Sequence, residues 1–343
     1  MVSQANHPLP PGLRVDEYTI DRQVSLGGFS LVYLAHDARG RAVALKEFLP
    51  HQLALRGPGA ICPSIPEEHR GTFRYGVRCF FEEGAALAKV RHPNVVEVYN
   101  FFRANDTVYL AMRYEEGRTL QELLRDEPGK INEAFLRQLF TRLLNGLRAV
   151  HRQQLLHLDI KPANIYVRWD DTPVLIDFGA ARQVLNQQQP ILKPTYTPGF
   201  ASPEHHNNFE QLGPWSDIYG VGASLYACLA GGIAPLAVDQ RRLKDTLVPA
   251  RQRWRGHYSD NLLRVIDHCL ELDPGRRPQS VFAVQKALAP LTTADDGDAE
   301  TLAASTAATA AVRPASATGE FGQTAVRARG WLARLVDKVK RRR

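Results

Sequence analysis

The hydrophobic period of this 343-residue chain changes near Gly117, and that change limits the fold more than any other feature. Before it, "YTIDRQV", "LVYLAHD", "AVALKEF", "HPNVVEVYNFF" and "TVYLAMRY" are short β-favouring runs bounded by turn signals. One helical stretch interrupts them: between Thr72 and Val90, Phe73, Val77, Phe80, Phe81, Leu87 and Val90 recur at helical spacing. After Gly117, Phe135, Leu136, Leu139, Phe140, Leu143, Leu144, Leu147 and Val150 share one helical face, with Asn132 placed to cap it. Further helices are predicted at Trp215 to Ala230, Asp260 to Leu272 and Ser280 to Leu288. Strands followed by helices specify an α+β chain. A mostly β lobe, a five-strand meander with one helix, is expected to join a mostly α lobe.

Hydrophobic residues make up 44% of the chain, enough for a sizeable core. Cys62, Cys79, Cys228 and Cys269 lie far apart with no CxxC pair, which points to reduced thiols rather than a disulfide frame or zinc site. The opening "MVSQANHPLPPGLR" lacks a basic-then-apolar signal pattern, so a cytoplasmic location is expected. "VGASLYACLAGGIAPLAV" is broken by Gly231, Gly232 and Pro235, and reads as a buried helix ending at the glycine pair rather than a membrane span. Beyond Pro290 the text turns to Ala, Thr and Ser, the composition of a flexible linker.

The net charge of +7 belongs to the tail. Residues 326–343 hold eight Lys or Arg against Asp337 alone, so everything before them nets to zero. Ala328, Trp331, Leu332, Leu335, Val336 and Val339 fall at helical spacing opposite those cations. Such an amphipathic helix suits an anionic membrane surface at the inner face of the cell membrane. Docking on a protein surface, including the chain's own, is the second reading. The apolar stripe argues against nucleic acid, because phosphate binding needs no such face.

The adjacent glycines of "VSLGGFSLVYLA" fit a plain hairpin or a loop folded over phosphate, and alone they do not choose. Taken singly, Lys46 in "VALK" reads as a surface lysine and Glu83 in "FFEEGAALAKV" as part of a solvated helix face. The later motifs change that weighting. "HLDIKPANI" supplies Asp159, Lys161 and Asn164 within six residues, and "LIDFGAAR" supplies Asp177, Phe178 and Gly179 thirteen residues after Asn164. "GFASPEHH" adds Glu204, "SDIYGVG" adds Asp217 and "DPGRRP" adds Arg277. An unrelated chain would rarely hold all of these in this order.

In this combination the chain, from Tyr18 to about Leu288, resembles a protein-kinase catalytic domain of the bacterial eukaryotic-like (Hanks-type) Ser/Thr class. The resemblance implies a bilobal protein-kinase-like fold. It divides the chain into an N-terminal extension (1–17), the catalytic domain (18–290), the linker (291–325) and the basic helix (326–343). It implies ATP with Mg²⁺ or Mn²⁺ as cofactors, Ser/Thr of protein substrates as acceptors, and autophosphorylation. Ser25, Leu26, Gly27, Gly28, Phe29 and Ser30 would form the Gly-rich loop, where backbone N–H groups approach phosphate because no Cβ intervenes. Lys46 would hold the α and β phosphates and Glu83 would hold Lys46. Asp177 and Asn164 would bind the metal ions through hard oxygen donors. Asp159 would accept the substrate hydroxyl proton, with Lys161 stabilising the moving phosphoryl group. Val32, Ala44, Met112, Tyr114 and Tyr166 would surround adenine, with Met112 as gatekeeper and Arg113 to Glu115 as hinge. Leu87, His157 and Phe178 would stack as a spine, Glu204 would pair with Arg277, and Asp217 would hold the catalytic loop.

Several positions depart from the family pattern. Ser25 and Ser30 stand for two loop glycines, which predicts slower turnover with ATP binding kept. Leu158 stands where many members have an arginine that pairs with activation-segment phosphate, which predicts activity nearly independent of that modification. Tyr166 replaces an aliphatic floor, Tyr196 replaces a glycine before Thr197, and Thr195 is the first candidate loop phosphosite. The stretch 51–71 is longer than the common design and either packs over the lobe or meets a partner. A nucleotide-binding pseudokinase or scaffold is the alternative function, favoured only by the altered loop. A small-molecule kinase is weaker still, since "TPGFASPE" matches a peptide-docking segment.

Overall fold

Strands β1 (Arg14–Val15), β2 (Tyr18–Leu26), β3 (Ser30–His36), β4 (Ala42–Phe48), β5 (Val98–Ala104) and β6 (Thr107–Arg113) form one antiparallel sheet in the order β1-β2-β3-β4-β6-β5. The computed structural model describes residues 6–178, 197–207 and 211–289. Gly179, Thr195, Tyr196, the 291–325 linker and the 326–343 tail lie outside them. The sheet corrects the expected meander twice. Residues before Tyr18 add β1 and bury Leu9 and Val15, so 6–17 belong to the lobe rather than to an extension. Strand β4 also pairs with β6, leaving β5 at the edge, because α1 (Arg70–Leu87) intervenes and delivers the chain to the far side. Helix α1 lies on the sheet through Phe73, Val77, Phe80 and Leu87, and Phe48 meets both Phe73 and Phe80 at 5.5 Å between ring centroids.

The 51–71 stretch packs back on the lobe, over the sheet face that carries Glu47. Arg56 lies on it with a side chain 0% exposed, paired with Glu47, also 0% exposed. Two guanidinium–carboxylate contacts of 2.6 and 2.7 Å join them. Tyr33 and Tyr109 donate to the same carboxylate at 2.8 and 2.6 Å. Burial, and then the Glu47 charge, push both tyrosine hydroxyls well above their ordinary pKa, so they stay donors. Asn6 adds its carboxamide, donating to the carbonyls of Leu49 and Ala54 and accepting from the Arg56 backbone N–H.

The second lobe begins with β7 (Gly117–Thr119), which pairs with β8 (Ile165–Arg168), itself paired with β9 (Pro173–Leu175). A capping box between Thr119 and Glu122 starts α2 (Leu120–Asp126). Asn132 accepts from the Phe135 N–H at 2.9 Å and starts α3 (Glu133–Arg152). Then follow α4 (Glu204–Asn207), α5 (Pro214–Leu229), α6 (Val238–Leu243), α7 (Ala250–Arg253), α8 (Asp260–Cys269) and α9 (Val281–Leu288). Helix α5 is buried from Ser216 to Leu229. A Cβ on Gly222 would stand 2.5 Å from the Cys269 Cβ, so glycine is what lets α5 close on α8. Gly231 at φ 68° ends the helix, and the Gly232 N–H returns to the Ala227 carbonyl at 2.8 Å. No described helix is long and apolar enough to cross a membrane.

The loop after α1 is bound to the second lobe. Leu175 N–H donates to the Asn94 carbonyl at 2.9 Å, Val96 N–H to the Leu175 carbonyl at 3.0 Å, and the Asn94 side chain to the Pro173 carbonyl at 2.7 Å.

Candidate active site

The register of β3 on β4 sets Val32 opposite Lys46, and that of β4 on β6 sets Ala44 opposite Met112. Ser25 faces Val32 across β2 and β3. Leu26 ends β2 and Ser30 begins β3, with the turn closed by the Gly27 N–H on the Ser30 carbonyl at 2.9 Å. Neither Gly27 nor Gly28 has positive φ, and a Cβ on either would make only ordinary contacts of 3.4 and 3.6 Å. The turn itself therefore does not demand glycine. Among the described residues the Gly28 and Phe29 N–H groups have no partner.

Lys46 is buried and donates to Asp177 Oδ1 at 2.7 Å, which corrects the expected Lys46–Glu83 pair. Burial acts to lower the Lys46 pKa, but the charges of Asp177, Glu83 and Asp159 outweigh it, and the net shift is upward. The Lys46 ammonium holds the Asp177 carboxyl down at about 2. Glu83 stands outside ion-pair distance of Lys46. Burial, only partly offset by Lys46, lifts its carboxyl to about 8. Lys46 also sits 5.5 Å over the Phe80 ring, one helical turn before Glu83.

The catalytic loop is held from below. Asp217, in the first turn of α5, accepts from His157 N–H at 2.9 Å, Leu158 N–H at 2.7 Å and His151 Nε2 at 2.7 Å. Burial alone would raise its pKa, but the His151 hydrogen bond and the histidine charges win and keep it lowered. Leu158 adopts φ 63° and Asp177 φ 60°, a left-handed conformation that costs a residue with a Cβ about 1–2 kcal/mol. His157 is buried, its pKa lowered by desolvation, and its Nε2 donates to the Ile176 carbonyl at 3.1 Å. Its ring lies 4.4 Å from that of Phe178; Leu87 is buried in the same core.

Asp159 sits in a closed network. Lys161 Nζ donates to Asp159 Oδ2 and to Thr197 Oγ1, both at 2.7 Å, and the Thr197 hydroxyl donates to Asp159 Oδ1 at 3.0 Å. The Asn164 amide donates to Asp159 Oδ2 at 2.8 Å and to its carbonyl at 2.9 Å. This leaves the side-chain oxygen Oδ1 of Asn164 and Oδ2 of Asp177 without partners among the described residues, and the Asp177 side chain is 49% exposed. Two uncommitted oxygens of this kind fit a hard divalent cation. Glu204 and Arg277 form a buried two-point pair at 2.7 and 3.0 Å.

On the hinge side, Met112 is buried and Tyr114 half-buried. The Tyr166 hydroxyl donates to the Gly117 carbonyl at 2.9 Å, and burial pushes its pKa up to about 12. Two residues along β8 on the same face, Arg168 grips Glu115 of the hinge at 2.7 and 2.9 Å and the Pro93 carbonyl at 3.1 Å. The sequence reading missed Arg168, Glu47, Arg56 and His51. Only Arg168 left a signal there, the strand period that pairs it with Tyr166.

Comparison with known proteins agrees with this geometry. Residues 18–289 match the family described as Protein kinase domain, and the chain belongs to that family. It is 28% identical over 284 residues to the serine/threonine-protein kinase PknB of Mycobacterium leprae, covering 79% of this chain and 42% of that one. It is 28% identical over 309 residues to the serine/threonine-protein kinase Pkn2 of Myxococcus xanthus, covering 82% and 33% respectively. The chain thus spans less than half the length of these relatives. The solved apo form of PpkA-294 is 34% identical with a TM-score of 0.74, covering 82% of this chain and 99% of that one.

Proposed function

We propose that the protein is a serine/threonine protein kinase that transfers the γ-phosphate of ATP to Ser or Thr of protein substrates, with autophosphorylation. The observation that carries this reading is the network around Asp159, where a carboxylate, the Lys161 ammonium and the Thr197 hydroxyl are held within 3.0 Å contacts of one another. Asp159 supplies an acceptor for the substrate hydroxyl proton, and Lys161 stands beside it to stabilise charge on the transferring group. Lys46 is placed to hold ATP phosphates, with the Gly28 and Phe29 N–H groups as further donors. Asp177 and Asn164 would hold Mg²⁺ or Mn²⁺, which would supply positive charge to neutralise the phosphates. Val32, Ala44, Met112, Tyr114 and Tyr166 would enclose adenine.

The test is incubation of the full chain with Mg-ATP, followed by intact mass and phosphosite mapping, beside Lys46→Met and Asp159→Asn. Phosphate on Ser or Thr in wild type alone is the expected result. Nucleotide binding without transfer would favour the scaffold reading, for which the Lys46–Asp177 pair and the separated Glu83 are the supporting observation. The tail's charge and apolar stripe support a second element of the proposal, peripheral attachment to the inner face of the cell membrane. Co-sedimentation with anionic vesicles but not with neutral ones checks it, using a chain cut after residue 325 as the control.

A further inference from the structure

The strap that follows β4 does more than cover the sheet. Its base is fixed by buried groups: Leu49 and Ala54 are buried, and Asn6 and Arg56 tie that turn to the N-terminal arm and to Glu47. From this base the strap reaches the Gly-rich loop. The Leu49 N–H donates to the Phe29 carbonyl at 2.9 Å. His51 then meets the Gly28 carbonyl twice, through its own N–H at 3.3 Å and through ring Nδ1 at 2.8 Å. A carbonyl only accepts, so Nδ1 carries the proton.

A trans peptide is planar, so the Gly28 carbonyl and the Phe29 N–H point in opposite directions. Turning that carbonyl to His51 therefore turns the Phe29 N–H away from the strap, and that N–H has no partner among the described residues. We propose that His51 is a positioning residue for the ATP phosphates: by holding the Gly28 carbonyl it sets the 28–29 peptide so that its N–H remains aimed as an anion donor. The inference rests on reading this loop as the nucleotide loop. It gives the inserted strap a role in nucleotide binding. It also supplies an external brace to a loop whose own glycines are not held by their backbone angles.

The test compares ATP and adenosine binding to the full chain by calorimetry, with phosphotransfer measured in parallel. The variants are His51→Ala, His51→Phe, which keeps a ring without a donor, and His51→Asn, whose amide nitrogen stands where Nδ1 stood. Ala and Phe are expected to weaken ATP about three- to tenfold, the worth of one neutral hydrogen bond, and to leave adenosine unchanged. Asn is expected to stay within about twofold of wild type for both ligands. The inference is overturned if Ala binds ATP as wild type does, if adenosine and ATP fall together, or if Asn fails as badly as Ala. Loss of phosphotransfer in wild type, with the ATP-specific effect of His51→Ala intact, would remove the kinase reading and leave the positioning role standing.

Discussion

Glu83 shows how one side chain can be set by what its neighbours choose. Because Asp177 takes Lys46, the Glu83 carboxyl lies unpaired against the lobe, and burial, only partly offset by the Lys46 charge, lifts its pKa from 4.5 to about 8. The folded protein then keeps a proton that the unfolded chain has already given up, so Glu83 costs stability progressively as pH rises through that window. Glu83→Gln copies the protonated form. In nucleotide-free protein it should melt above wild type at about pH 8 and converge with it near pH 4, read by thermal unfolding. Phosphotransfer by the same variant should fall about tenfold or more, since members of this family need the lysine–glutamate pair in place. Leu158 makes a second prediction at this scale. It has no charge to receive a phosphate, so phosphatase treatment should leave peptide phosphorylation within about twofold. Most catalytic side chains were legible as residue types at motif spacing. Their pairing was not, because whether Lys46 meets Asp177 or Glu83 depends on the rotation of a helix and not on either motif.

At the scale of elements, the strap and sheet share one buried ion pair. Removing one partner strands the other charge: Arg56→Ala should cost about 3–5 kcal/mol in urea unfolding, whereas Arg56→Met with Glu47→Gln should recover much of that loss. The long helices could be read from their period, and Asn132 and Ser280 start theirs as capping residues do, each accepting from the backbone three positions on. The strap could not. Its sequence shows length, prolines and glycines, while its partners Asn6, Tyr33 and Glu47 come from three separate places in the chain. The strand order was misjudged for a related reason. A helix between β4 and β5 frees the next strand from pairing with its predecessor, and local periodicity carries no record of that choice.

At the scale of the whole catalytic domain, α1 belongs to one lobe by packing and to the other by its tether. Its C-terminal end runs straight into the loop bound to β9, and Glu83 is only four residues before that end, about 6 Å along the axis. A rod moored so close to its working residue has little travel. Glu83 can reach Lys46 chiefly if α1 rolls about its own length, like a cam against a follower. The bearing surface is Gly84, whose absent side chain leaves α1 flush with Leu110 and Phe101; an added Cβ would come 2.8 Å from Leu110 Cδ1. Gly84→Ala should thus cost little in melting temperature, because a leucine terminus yields, yet lower phosphotransfer several-fold in steady-state assays, about 1 kcal/mol of barrier. Regulation of such a machine would not require the helix to be pushed in or out. Any contact applying torque to its N-terminal end, where the strap joins it, could set the angle and with it the output.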